Sequence, residues 1–186
     1  MIGYAMCGSF CTINRALEQL MYLSEIGYDI QPFMSEMLST TDTRFGNSKE
    51  IIEQVELICK KKIVRSIAEA EPFGPSTKLD ALIISPCTGN TLAKLSNGIT
   101  DTTVCMAAKA HLRNDRPLVL ALATNDALSV NLKNISIMLS RKNVYFVPMV
   151  QDDPKNKPHS LVADFEMLPT TLEYALRGKQ IERIII

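Results

Sequence analysis

Two short stretches of the chain gather the residue types that hold an anion without a charged side chain. "CGSFCT" at 7–12 places Gly8, Ser9 and Thr12 between an apolar run and a segment with helical spacing. "SPCTGNT" at 85–91 does the same with Thr88, Gly89, Asn90 and Thr91, and Pro86 sets its turn. A helix start presents unpaired N–H groups and a favourable dipole, glycine admits close backbone approach, and hydroxyls add donors. Neither turn contains Lys or Arg, so an anion here would be held by amides and hydroxyls alone. The spacing of Gly3, Gly8 and Ser9 mimics a Walker motif, but its lysine is missing, and the chain has no GxGxxG. Two further strand-like runs end on polar residues, Ser35 in one case and Thr124, Asn125 and Asp126 in the other. Each of these is also a preferred helix cap. Four polar strand ends on one edge are better read jointly, as a binding cleft.

Other reactive groups are sparse. Arg44, in "TDTRFG", lies beyond the second strand-like run, where its guanidinium could grip a carboxylate in bidentate fashion. Pairing with Asp42 or Glu50 at the surface is the alternative. The five cysteines, Cys7, Cys11, Cys59, Cys87 and Cys105, are odd in number and scattered, which suits reduced thiols in the cytoplasm. Cys7, Cys11, Cys87 and Cys105 read as packing residues. Cys11 and Cys87 sit near helix starts, but no histidine is paired with either to make a nucleophile. With no CxxC pair and only His111 and His159 available, no metal site is expected.

The elements that position these groups follow from periodicity. Apolar runs at 2–6, 28–34, 81–85, 117–123 and 144–147 lack alternation, as buried parallel strands do, and a weaker one lies at 62–65. Helical patterns occupy 13–27, 51–58, 91–97, 102–111, 128–140 and 161–176, and "IERIII" reads as a terminal strand. Strand and helix alternate throughout, which predicts one three-layer α/β domain over residues 1–186 around a mostly parallel sheet. Ligands of such sheets bind beyond the carboxyl ends of the strands, where strand order reverses. Loops at 35–48, 70–78 and 148–160 are irregular, and the last carries three prolines.

Composition narrows the function classes. Lys plus Arg equals Asp plus Glu, 20 against 20, so no global field attracts nucleic acid or an anionic membrane. "LVLALA" at 118–123 is too short to span a bilayer. The first residues lack a basic region, and Gly3, Gly8 and Ser9 interrupt the apolar stretch, so no secretory leader is expected.

"SPCTGNTLAKLSNGITD" at 85–101 resembles the P-A-S/T-A-N-T-x-x-K-x-x-x-G-x-x-D signature of the homo-oligomeric flavin-containing cysteine decarboxylases. "CGSFCT" fits that family's Gly-Ser start, and "LRNDRPLVLAL" resembles the stretch before its third loop. "TDTRFG", "AEPFGP", "ALATNDAL", "NVYFVP" and "GKQ" extend the likeness along nearly the whole chain to one branch of these flavoproteins, the second subunits of two-component synthases. The resemblance implies a Rossmann-like flavoprotein fold and a flavin mononucleotide (FMN) site lined by Gly8, Ser9, Ser35, Thr88, Asn90 and Thr91. It places Asn125 where the family's Pro-Ala-Met-Asn motif contacts a substrate carboxylate. It also implies dehydrogenation of a small dihydropyridine dicarboxylate, a partner A subunit that binds NAD(P), and a homo-oligomer built as a trimer or a multiple of one. "LATN" at 122–125 keeps only the Ala and Asn of that motif, and the histidine that the decarboxylases carry after strand two is missing from 41–54. Cysteine decarboxylation by the usual route is therefore not expected, and no residue is assigned as catalytic. A stand-alone flavin-dependent decarboxylase or transferase, and a non-catalytic scaffold for the partner, are the alternative functions.

Overall fold

The strand β1 (Ile2–Met6) is buried at every position because both of its faces are covered. Ile2, Tyr4 and Met6 face one apolar layer and Ala5 faces the other. The structure, a computed structural model, describes residues 1–186. After β1 come α1 (Ile13–Glu25), β2 (Ile30–Met34), α2 (Glu36–Thr40), α3 (Ser48–Cys59) and α4 (Ile67–Ala70). Then follow β3 (Leu82–Thr88), α5 (Gly89–Ser96), α6 (Thr103–Leu112), β4 (Leu118–Thr124) and α7 (Leu132–Leu139). The chain closes with β5 (Val144–Phe146), β6 (Met149–Val150), β7 (Leu161–Ala163) and α8 (Leu168–Leu176).

The sheet order is β2-β1-β3-β4-β7-β6, with β5 also paired to β4. The pairings β1–β2, β1–β3, β3–β4 and β4–β5 are parallel, while β7 is antiparallel to both β4 and β6. This is a Rossmann-like α/β sheet with helices on both faces. One layer packs Ile13, Leu17 and Leu20 of α1, Val55 of α3 and Leu168 and Leu172 of α8 onto the sheet. The other packs Leu92 of α5, Val104 and Ala108 of α6 and Ile135 and Met138 of α7. Along β4 the side chains alternate strictly, Leu118, Leu120 and Leu122 toward the second layer and Val119, Ala121 and Ala123 toward the first. That alternation is invisible in the letters because both faces are apolar. Gly3 belongs to this packing, since a Cβ there would come within 2.6 Å of Leu82 and 2.7 Å of Leu79.

Several expectations need correction. The segment 161–176 is not one helix: Leu161–Ala163 forms β7, a 3-10 turn covers Phe165–Met167, and α8 starts only at Leu168 with a proline in its first turn. Leu161 faces one apolar layer while Val162 and Ala163 face the other, and the three residues pair as a strand between β4 and β6 rather than forming a helical turn. The helix expected at 128–140 begins at Leu132, because the Asp126 carbonyl captures the amides of Ser129 and Asn131 in a turn. The strand expected at 62–65 reduces to one bridge between Val64 and Phe33, and the terminal strand to one between Met149 and Ile185. Within 66–70, a capping box between Ser66 and Glu69 nucleates α4, which the loop-like composition there concealed.

Candidate flavin site

Strand order reverses between β1 and β3, and the loops after these two strands meet there. Both carry the small residues singled out above. After β1, the Ser9 N–H donates to Cys7 O (2.9 Å) and the Thr12 N–H to Ser9 O (3.0 Å), forming a 3-10 turn at Phe10–Thr12 that leads into α1. The Gly8 N–H finds no backbone acceptor. After β3, Thr88 caps α5: its hydroxyl accepts from the Thr91 N–H at 3.1 Å and donates to Thr91 Oγ1 at 3.0 Å. Thr91 Oγ1 in turn donates to Cys7 Sγ at 3.3 Å, which ties the two strand ends together. The first amides of α5, those of Gly89 and Asn90, have no acceptor within the helix.

These loops line a cavity of about 480 Å³ with Gly8, Ser9, Thr12, Thr88 and Gly89 on its wall. The end of β4 adds Ala123, Thr124 and Asn125. Gly89 is set by close approach, since a Cβ there would meet Thr124 Oγ1 and come within 2.7 Å of Asn131 Nδ2 and 3.1 Å of Asp126 Oδ1. Behind it runs a polar chain. Thr124 Oγ1 and Asn131 Nδ2 donate to Asp126 Oδ1, Asn134 Nδ2 donates to Asn131 Oδ1 (2.8 Å), and Ser96 Oγ donates to Asn134 Oδ1 (2.8 Å). The Thr124 hydroxyl, aided by the Asn131 amide, holds the Asp126 carboxyl below the usual carboxylate range. Asp126 is therefore a fixed acceptor at neutral pH, and it orients the Thr124 hydroxyl on the cavity wall.

Four of the expected site residues, Gly8, Ser9, Thr88 and Asn125, line this cavity. Four do not. Ser35 is buried as the cap of α2, accepting from the Leu38 N–H at 3.3 Å. Thr91 is buried beneath Thr88, and Asn90 is exposed on the first turn of α5. Arg44 is exposed, with its guanidinium 4.7 Å from the Phe45 ring centroid. Neither Asp42 nor Glu50 pairs with it; Asp42 instead accepts from the Ser48 N–H (2.8 Å) and hydroxyl (2.9 Å) at the start of α3.

The cysteines divide. Burial pushes the Cys7 thiol up to about 12 and raises Cys87 well above its ordinary value, so both are inert packing groups. Cys11, expected to pack, is instead exposed on the cavity wall, because the 3-10 turn points it outward.

Sequence reasoning missed Arg15, Asp152 and Lys157, which carry the charge on this cavity. Arg15 had a signal, since a helical side chain leans toward the N-terminus and α1 starts at the cavity. For Asp152 and Lys157 the signal was only the unusual length of their loop.

The sequence model of the family described as "Flavoprotein" matches residues 1–167. The chain belongs to that family. Within it, the chain is 42% identical over 185 residues to the B subunit of dipicolinate synthase from Bacillus subtilis (strain 168), covering all of this chain and 92% of the relative. The crystal structure of the corresponding dipicolinate synthase subunit from Bacillus halodurans C superposes with a TM-score of 0.91 at 46% identity, covering 100% of this chain and 95% of that one. A dodecameric FMN-dependent Ubix-like decarboxylase from Escherichia coli O157:H7 shares the fold, with a TM-score of 0.66 at 24% identity over 80% of this chain and 79% of that one.

Proposed function

We propose that this chain is the flavin-holding second subunit of a dipicolinate synthase, oxidising dihydrodipicolinate to dipicolinate with a nicotinamide-binding A subunit in the cytoplasm of a sporulating cell. The observation that carries this reading is the full-length likeness to the dipicolinate synthase subunit of Bacillus subtilis. The donor set fits FMN. A phosphate suits the neutral wall of Gly8, Ser9, Thr88 and Gly89, where helix-start amides and the Ser9 hydroxyl converge. When bound, a flavin supplies a two-electron acceptor. Aromatising the dihydropyridine ring removes two hydrogens, one as hydride and one as a proton. The hydride has two candidate destinations, a flavin here and the partner's nicotinamide. In either case this chain's residues orient the ring, with the Asn125 amide toward a substrate carboxylate. A stand-alone decarboxylase is less well supported: the 35–48 loop holds no histidine, and His111 is buried with its Nε2 2.9 Å from Pro117 O.

The deciding measurement is the visible absorption of the purified chain after FMN is added and the excess removed. Flavin is expected to stay with the wild type, and less of it with Thr88→Ala, which removes the cap of α5 at a cost of about 1 kcal/mol. Dehydrogenation is expected only after the A subunit is mixed in. A chain that retains no flavin leaves the nicotinamide as sole acceptor. Activity of the isolated chain would overturn the two-subunit reading.

A further inference from the structure

The cavity wall divides into two chemistries. Gly8, Ser9, Thr88 and Gly89 offer neutral amides and hydroxyls, whereas Arg15, Asp152 and Lys157 bring the charge. Arg15 comes from the first turn of α1, and Lys157 from the loop between β6 and β7, so two elements remote in sequence deliver one cation each to the same cavity. Neither cation is locked in place. Arg15 Nη2 lies 3.9 Å from Asp164 Oδ1, with a side chain 46% exposed, and Lys157 Nζ lies 3.2 Å from Asp152 Oδ2, with a side chain 48% exposed. Ion pairs this exposed are weak, because water screens them and holding two long side chains costs entropy. A ligand carboxylate can therefore replace either acid with little loss. The Arg15 guanidinium stands 5.0 Å over the Phe165 ring, which keeps its plane in place while its N–H edge is free to turn to a ligand.

We propose that Arg15 and Lys157 recognise the two carboxylates of the substrate, each exchanging an internal acid, Asp164 or Asp152, for one carboxylate of the ligand. This rests on the reading of the cavity as the site of a dihydropyridine dicarboxylate, and it adds the residues that select that ligand. A rigid ring bearing two separated carboxylates matches two cations supplied from separate elements. A single phosphate is already served by the neutral wall. Before the ligand enters, the two acids neutralise the cations. Entry of the dianion restores the charge balance once those acids turn to water.

The test is calorimetric titration of the full-length, FMN-loaded chain with pyridine-2,6-dicarboxylate and with pyridine-2-carboxylate. The wild type is expected to prefer the dicarboxylate. Arg15→Gln and Lys157→Gln each weaken dicarboxylate binding about tenfold or more, the worth of one charge-assisted hydrogen bond, and shrink the preference over the monocarboxylate. Asp164→Asn and Asp152→Asn tighten dicarboxylate binding, because they remove the internal competitor; ion pairs that merely braced the fold would give the opposite sign. Flavin retention stays at the wild-type level in all four variants. Unchanged dicarboxylate affinity in both glutamine variants overturns the assignment. So does loss of flavin in those variants, which would give the two cations to the flavin phosphate instead. A wild type that holds flavin but binds no dicarboxylate overturns this inference and leaves the flavin reading standing; a wild type that binds neither overturns both.

Discussion

At Gly89 a single missing methyl group makes room for three polar partners. A Cβ there would press on Thr124 Oγ1, on Asn131 Nδ2 at 2.7 Å and on Asp126 Oδ1 at 3.1 Å, and Asn131 is itself buried and bonded to Asn134. The polar chain cannot yield without breaking a hydrogen bond. Gly89→Ala is therefore expected to destabilise the fold by about 1–3 kcal/mol in urea titration, the usual cost of overpacking. The proposed flavin retention should fall with it, since the Thr124 hydroxyl would be displaced from the cavity wall. A variant as stable as the wild type would show that the cradle is looser than its distances imply. At this scale the sequence was partly legible. Thr88 and Gly8 announced themselves by type and by position after a strand. Ser35 had the same type and position, and both hydroxyls cap the helix that follows, Ser35 at the Leu38 amide and Thr88 at the Thr91 amide; what separates them is strand order, which brings the end of β3 and not that of β2 to the cavity wall.

Elements hold one another by their ends as well as by their faces. The Glu36 carboxylate in the first turn of α2 accepts from the Thr103 N–H (3.0 Å) and hydroxyl (2.7 Å), so it closes the start of α6 from a different helix. A negative charge there also meets the positive end of the α6 dipole. Glu36→Ala is expected to cost about 1 kcal/mol, read as a lower urea midpoint, and Glu36→Gln less, because the amide oxygen keeps the hydrogen bonds while losing the charge. Equal stability of wild type and Glu36→Ala would remove this contact from the account of α6. The element most poorly anticipated was the one at 161–176. Leu161, Val162 and Ala163 continue the apolar spacing of the helix after them, so period alone merges the two. The open edge of β4 at Ala123 and Thr124, which takes up Val162 and Leu161, decides otherwise.

For the whole molecule, the homo-oligomer that the family resemblance implies predicts a light-scattering mass several-fold above the 20.7 kDa of one chain. Apolar side chains left on the surface, Val130, Leu132 and Ile137 on and before α7 among them, are the kind of area such an assembly covers. A monomeric mass at working concentration would overturn the assembly. The three-layer α/β architecture was determined by the sequence itself, because buried parallel strands and amphipathic helices leave their mark in neighbouring residues, within one turn or one pleat. So were the two strand-to-helix turns at 7–12 and 85–91, since each is a contiguous stretch. The composition of the cavity was decided by the tertiary structure alone. Arg15, Thr124 and Lys157 are separated by 109 residues in one case and 33 in the other, and they share a wall only because β4 lies next to β3, one strand beyond the reversal between β1 and β3, and the loop before β7 folds back over it. Periodicity carries information over one element; which residues meet across elements is set by strand order and by the packing of two apolar layers, and no local pattern encodes that.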